Sequence, residues 1–258
     1  LRLILGQETP TSGNVSLDGK TVGRADVNRG IVYQKYSLFP NLTVLDNVLL
    51  GKKLGDNKDE WSQNKRILTE EAMHFLSSVK LGEHANKYPH QLSGGMQQRV
   101  AVMQALIMKP NILMMDEPFG ALDPGTREDI QIFLLEQWKE HGMTIFFVTH
   151  DLEEAVFLGT RIITLSQYYT DDRHDDLPGM LSYQRNWHGA KVVSDRSVEH
   201  MNDDIKGSVT EKQTKEFSEI IEDIRDEGFN PENIRHVSEF NLTHRNSFQI
   251  LTSEEQVK

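Results

Sequence analysis

Two apolar runs of this 258-residue chain end in groups able to move protons or hold a cation. "NILMMDEP" (111–118) closes in Asp116 and Glu117, and "MTIFFVTH" (143–150) closes in His150. A carboxylate at a buried strand end can hold Mg²⁺ through water, and a neighbouring carboxylate can orient or deprotonate an attacking water. His150 could donate to a phosphate and Gln34, in "GIVYQ", could sense metal and water. A fourth stretch, "LSGGMQQRV" (92–100), sets Ser93, Gly94 and Gly95 ahead of a helical pattern. A bare helix start offers unpaired N–H groups and a partial positive charge, which suits phosphate. Taken singly, each feature has a plainer reading. Asp-Glu-Pro also serves as a helix cap, a terminal histidine is commonly inert, and Ser-Gly-Gly also makes a flexible turn.

The elements that must position these residues follow from periodicity. Within 111–118, Ile112–Met115 form a continuously apolar run that closes in two acids and a proline, as expected of a strand buried on both faces of a parallel sheet, and 143–150 repeats the design. Between them Ile130, Phe133, Leu134 and Trp138 recur at helical spacing, with Gly142 as the stop. Strand, helix, strand is a right-handed crossover, so both strands run parallel and their polar ends share one edge, where open α/β sheets bind ligands. Asp116, Glu117 and His150 therefore belong to one site. Upstream, "VSLDGKTV" (15–22) reads as a hairpin turning at Asp18-Gly19, and 30–34 as a short strand. Residues 52–87 read as a helical insert with Ile67, Ala72, Phe75 and Leu76 on its buried face.

Composition narrows the function classes. There is no cysteine, so neither disulfide nor thiolate chemistry is available, in keeping with a reducing compartment. The net charge of −11 argues against general nucleic-acid binding. Residues 167–258 hold 19 acids against 11 bases, so most of the acidity lies there. No run of about 18 apolar residues offers a membrane span. The start "LRLILGQETP" lacks the features of a secretory signal, and its opening Leu suggests a missing beginning.

In order, "VYQKYSLFPNLTVLDNV", "YPHQLSGGMQQRV", "ILMMDEPFGALDP" and "TIFFVTHDLEEA" resemble the Q-loop, signature motif, Walker B with D-loop, and H-loop of the ATP-binding-cassette (ABC) transporter ATPases. The resemblance covers residues 1 to about 166. It implies an α/β, P-loop NTPase-like, mostly parallel sheet with a helical signature subdomain at about 52–108, and ATP with Mg²⁺ as cofactors. Asp116 and Gln34 would serve the metal, Glu117 would be the catalytic base, and His150 the switch histidine. Ser93, Gly94, Gly95 and Gln97 would meet the nucleotide of a second, identical subunit, and Asp123 would lie at the dimer interface. "KYSLFPNLTV" would receive a helix of a membrane permease subunit, although Tyr36, Leu38 and Phe39 fit ordinary core packing equally well. The motifs look most like importers of nitrate, sulfonate or taurine, served indirectly by an external solute-binding protein at the cytoplasmic face of the membrane. The alternative is a non-catalytic module that completes a partner's nucleotide site.

One departure sets a further expectation. The family's phosphate loop, GxxxxGK followed by Ser or Thr, does not occur, and the fold is therefore expected to be truncated before Leu1 and the chain to be inactive and to bind Mg-ATP poorly. Residues 167–258 are expected to form an acidic, mainly helical extension of unknown role. Within it 210–228 is amphipathic, with Phe217, Ile220, Ile221 and Ile224 on one stripe, a Thr210/Gln213 capping box and Gly228 at the stop. A further helix is expected from 230–234. His174, His188, His200, His236 and His244 lack tight ligand spacing.

Overall fold

The first 32 residues build a short helix, α1 (Arg2–Leu5), a hairpin of β1 (Ser16–Leu17) and β2 (Lys20–Thr21), and a strand, β3 (Arg29–Val32). The hairpin turns where expected, because Asp18 and Gly19 both take positive φ (50° and 73°), the geometry of a tight two-residue turn. Arg29 is buried, and its guanidinium donates to the carbonyls of Ile4 (3.0 Å) and Arg24 and to the carboxylate of Asp26 (3.0 Å). That bond also holds the Asp26 carboxyl below the usual carboxylate range. A fold truncated at its N-terminus was the expectation, and the structure corrects it: residues 2–32 are folded, and one buried cation joins α1 to β3.

The structure is a computed structural model that describes residues 1–35, 38–55, 57–166, 169–170, 191–198, 215–230 and 235–236. It divides into two compact units, Leu1–His150 and Asp151–Lys258.

In the first unit the helical layer follows β3. α2 (Val44–Gly55) and α3 (Lys58–Ser78) pack on each other and on α4 (Gly94–Leu106). Asn57 starts α3 with a reciprocal cap: its side chain accepts from the N–H groups of Asp59 and Glu60, and the Glu60 carboxylate accepts from Asn57 N–H. Ala72, Phe75 and Leu76 are buried as expected, but Ile67 is 59% exposed. It stands beside Lys65, Arg66 and Glu70 on α3, where residues 62–67 are all exposed.

β4 (Ile112–Asp116) is the middle strand of a parallel sheet ordered β3-β4-β5, with β5 at Thr144–Val148. Leu113, Met114 and Met115 are all fully buried, as a strand covered on both faces requires. β5 is an end strand of this sheet and is less covered, with Val148 at 44% exposure. α5 (Pro124–His141) joins β4 to β5, starting at Asp123 and ending on the left-handed Gly142. Phe75 and Phe133 meet edge to face at 5.2 Å and so tie α3 to α5.

In the second unit α6 (Leu152–Leu158) is capped by Asp151, and β6 (Arg161–Ser166) pairs antiparallel with β8 (Lys191–Ser197) through a bulge at Thr164/Leu165. β7 (Tyr169–Thr170) pairs parallel with β9 (Arg235–His236). The amphipathic helix is present as α7 (Lys215–Phe229), which buries Phe217, Ile221 and Ile224 against α6, β6 and β8. Arg161 grips Asp195 with two hydrogen bonds (2.8 and 2.7 Å), and Arg196 bridges Asp223 (3.0 Å) and Glu227 (3.2 Å) of α7. The Thr210/Gln213 box, residues 231–234, and His174, His188, His200 and His244 lie outside the described residues, but the helix expected to start at 230–234 does not continue, since Arg235–His236 is the strand β9. Among the described residues no helix is long and apolar enough to cross a membrane.

Ile224 is 1% exposed on α7, whereas Glu222 lies on its open side. Ile224→Ala should lower stability by about 2–4 kcal/mol and Glu222→Ala by no more than about 0.5 kcal/mol. Urea unfolding followed by circular dichroism would reveal the difference, and equal effects would contradict the packing of α7.

Candidate functional site

Because β3, β4 and β5 run parallel, their C-terminal ends emerge along one edge. Asp116 is the last ladder residue of β4, paired with Val148 and half-buried. Glu117 extends the ladder by one bond, its N–H donating to the Val148 carbonyl at 2.9 Å. Its backbone then turns left-handed, φ 45°, a conformation few non-glycine residues adopt. The Glu117 carboxylate lies between two donors from the flanking strand ends. Gln34 Nε2 donates to Oε2 at 2.7 Å, and His150 Nδ1 lies 3.0 Å from Oε1. An ionised carboxylate only accepts, so Nδ1 carries the proton in that contact and Nε2 remains as the second ring nitrogen. The glutamate side chain is 29% exposed and the histidine 78%, so the carboxylate is sheltered while the imidazole faces outward. Gln34, Glu117 and His150, chosen from three separate sequence motifs, are thus in direct contact.

The glycine stretch opens α4. Ser93 is its N-cap, with Oγ accepting from Met96 N–H at 3.3 Å, and Gly94 and Gly95 form its first two positions. Gln97 folds back to donate to the Leu92 carbonyl at 3.2 Å. Gly95 has a structural duty inside its own subunit. A Cβ there would lie 2.9 Å from the Ala121 carbonyl oxygen and 3.3 Å from Leu122 Cδ2, so only glycine lets α4 approach the turn after Glu117 this closely. Asp123, at the end of that turn, caps α5 by accepting from Thr126 N–H at 3.1 Å. Hydrogen bonds from the Thr126 side chain and backbone hold its carboxyl below the usual carboxylate range.

Two residues not singled out from sequence matter here. Gln98 is 2% exposed, and its amide donates to the Glu117 carbonyl (3.3 Å) and accepts from Ala121 N–H (3.1 Å). The signal was available: Gln98, Val102 and Leu106 recur at every fourth position of α4 on a stripe that is fully buried, so a polar side chain there must have a partner. Asn47 is also fully buried and donates to the carbonyls of Phe39, Leu42 and Thr43 while accepting from Phe39 N–H. It fixes a loop on which Phe39 is 53% exposed and Leu38 half-buried, so Phe39 is not a core residue; Tyr36 lies outside the described residues.

Comparison with known proteins bears on this arrangement. The ABC transporter family matches residues 1–120. The nitrate import ATP-binding protein NrtD of Synechocystis sp. is 46% identical over 166 residues, covering 64% of this chain and 60% of that protein. The aliphatic sulfonates import ATP-binding protein SsuB of Bacillus thuringiensis subsp. konkukian is 36% identical over 186 residues, 72% of this chain and 70% of that protein. The chain belongs to the ABC transporter family. Among solved structures, a dimeric post-hydrolysis state of an ATP-binding cassette bound to ADP and Pi superposes with a TM-score of 0.58 at 29% identity, over 77% of this ABC chain and 79% of that one. The chain spans about 60% of the length of the nitrate relative.

The family match over residues 1–120 and the folded N-terminal region correct the expectation of a truncated fold in an inactive ABC ATPase. The match begins at residue 1, and residues 2–32 are folded as α1, the hairpin and β3. The N-terminal region of the match is therefore present, and inactivity does not follow from where the sequence starts.

The Gly95 contact gives a test of the site's architecture. Gly95→Val should destabilise the protein by about 1–3 kcal/mol, because the added carbons meet backbone rather than a yielding side chain. Thermal melting checks it; a variant as stable as the parent would mean that α4 and the 117–123 turn are not in contact.

Proposed function

We propose that this chain is the ATP-hydrolysing subunit of an importer for small solutes of the nitrate, sulfonate and taurine kind, working as a pair of identical subunits with ATP held between them. The observation that carries this reading is the Glu117 carboxylate held between Gln34 and His150 at the edge of a parallel sheet. The names of the nitrate and sulfonate relatives support the importer class, and the dimeric ADP-bound cassette supports the paired arrangement.

Phosphoryl transfer asks little covalent work of a protein, so positioning and charge carry the mechanism. Glu117 accepts a proton from the water that attacks the γ-phosphate, and its two neighbours fix where that carboxylate points. Gln34 holds one carboxylate oxygen and reports on the metal and water. His150 holds the other through Nδ1, which leaves Nε2 for a phosphate oxygen. Ser93, Gly94, Gly95 and Gln97, at the start of α4, serve the nucleotide of the partner subunit, with Asp123 at the interface.

Among the described residues no cluster of three or more acidic or histidine ligands converges. The half-buried carboxylate of Asp116, at the end of β4, suits Mg²⁺, which keeps several waters and takes few protein ligands alongside phosphate oxygens. Asp116 is the residue that would hold it, with Gln34 as a second oxygen donor; when bound, the ion would neutralise charge on the phosphates. The exposed loop at Phe39, fixed by Asn47, is the docking place for a membrane permease subunit, which sets the subunit at the cytoplasmic face of the membrane and links it indirectly to an external solute-binding protein. Residues 1–166 form the ATPase domain and 167–258 an acidic extension.

Glu117→Gln keeps the size and the Gln34 side of the site but removes the base. Turnover should fall on the order of a hundredfold or more, and ATP should trap a dimer visible by sedimentation. Hydrolysis within a few-fold of the parent would sink the assignment of Glu117.

A further inference from the structure

We propose that Gln98 is a positioning residue for ATP hydrolysis: it fixes the backbone of Glu117 and of Ala121 to the signature helix, so that the helix start and the base of one subunit move as a single body. This inference rests on the reading of Glu117 as the base.

A primary amide is both donor and acceptor, and both halves of this one are used on the same turn. Nε2 donates to the Glu117 carbonyl and Oε1 accepts from Ala121 N–H, four residues further on. Gln98 is 2% exposed, so water has little access to replace either bond. The helix that carries it is anchored, with Val100, Val102, Met103 and Leu106 all fully buried. One turn earlier, the Gly95 backbone lies against the Ala121 carbonyl, which makes a second contact between α4 and the same turn. The left-handed backbone of Glu117 is held at N–H by the Val148 carbonyl and at its own carbonyl by two donors, the Gln98 amide (3.3 Å) and Gly120 N–H (3.4 Å). From that conformation its carboxylate reaches Gln34 and His150. Ser93, Gly94 and Gly95 stand at the start of the same helix, so whatever seats on that start is coupled to the base through Gln98.

The experiment compares the full chain with Gln98→Met, which keeps the length and apolar stem but removes both hydrogen bonds. Three readouts are needed: steady-state ATP hydrolysis, ATP-driven dimerisation in the Glu117→Gln background, and amide hydrogen exchange of the 117–121 segment without nucleotide. Positioning predicts that kcat falls on the order of tenfold to a hundredfold while KM for ATP stays within about twofold, that dimerisation survives, and that the 117–121 amides exchange faster. Unchanged kcat with unchanged exchange overturns the proposal, and so does a loss of dimerisation equal to the loss of turnover. If Gln98→Met fails to fold, exchange of the parent protein decides: protection of 93–99 and 117–121 must rise together on adding ATP, and independent changes overturn the tie. Should Glu117→Gln hydrolyse ATP like the parent, the reading of Glu117 fails; the exchange readout, which needs no turnover, then judges the tie separately.

Discussion

The site depends on the pairing of β4 with β5. With Leu113, Met114 and Met115 fully buried, β4 has no freedom to slide, because a shift by one residue would exchange its two packed faces. The ladder therefore ends at a fixed place, and the last bond, from Glu117 N–H to the Val148 carbonyl, sets where the backbone leaves the sheet. The carboxylate position follows from that exit and from the left-handed turn at Glu117. The same parallel order brings the residues after β3 and β5 alongside, so Gln34 and His150 come to the glutamate without any long-range loop having to find it.

Much of this was legible in the sequence where a local rule and a tertiary role coincide. Asp18-Gly19 names its own turn, Gly142 its own helix stop, and the apolar run 112–115, closed by acids and a proline, has the length of a strand covered on both sides. The meeting of Glu117 and His150 was foreseeable because crossover topology leaves parallel strands no other common edge, whereas Gln34 was expected there only from the family resemblance. What could not be read was the detail set by neighbours distant in the chain. Ile67 fits the helical stripe by spacing yet faces solvent, because spacing reports a helix face and not whether anything covers it. Gly95 reads as an open phosphate seat, and only the fold reveals that the Ala121 carbonyl already occupies the space where a side chain would sit.

The N-terminal region teaches a related lesson. The absence of one expected motif suggested that the first element of the fold was missing, whereas residues 2–32 are folded around the buried guanidinium of Arg29. A planar cation with several donors can gather carbonyls from three places at once, which periodicity cannot report. Asn47 does the same with an amide for the loop at Phe39. In both cases a single buried polar side chain organises an irregular segment whose own backbone has no ladder to join.

α7 shows how an acidic segment can still be placed uniquely. Asp223 and Glu227 stand four residues apart, a spacing at which like charges repel along a helix, and Arg196 of β8 sits across both. Ser194 adds a third bond to Glu227 at 2.7 Å. Ile221 and Ile224 are buried on the same helix. Turning α7 by one residue would swing the two carboxylates about 100° away from the arginine and bring Glu222 toward the place of Ile221. The polar bonds and the apolar stripe therefore act as two teeth of one key: the stripe says which side of the helix goes down, and the arginine says at what angle.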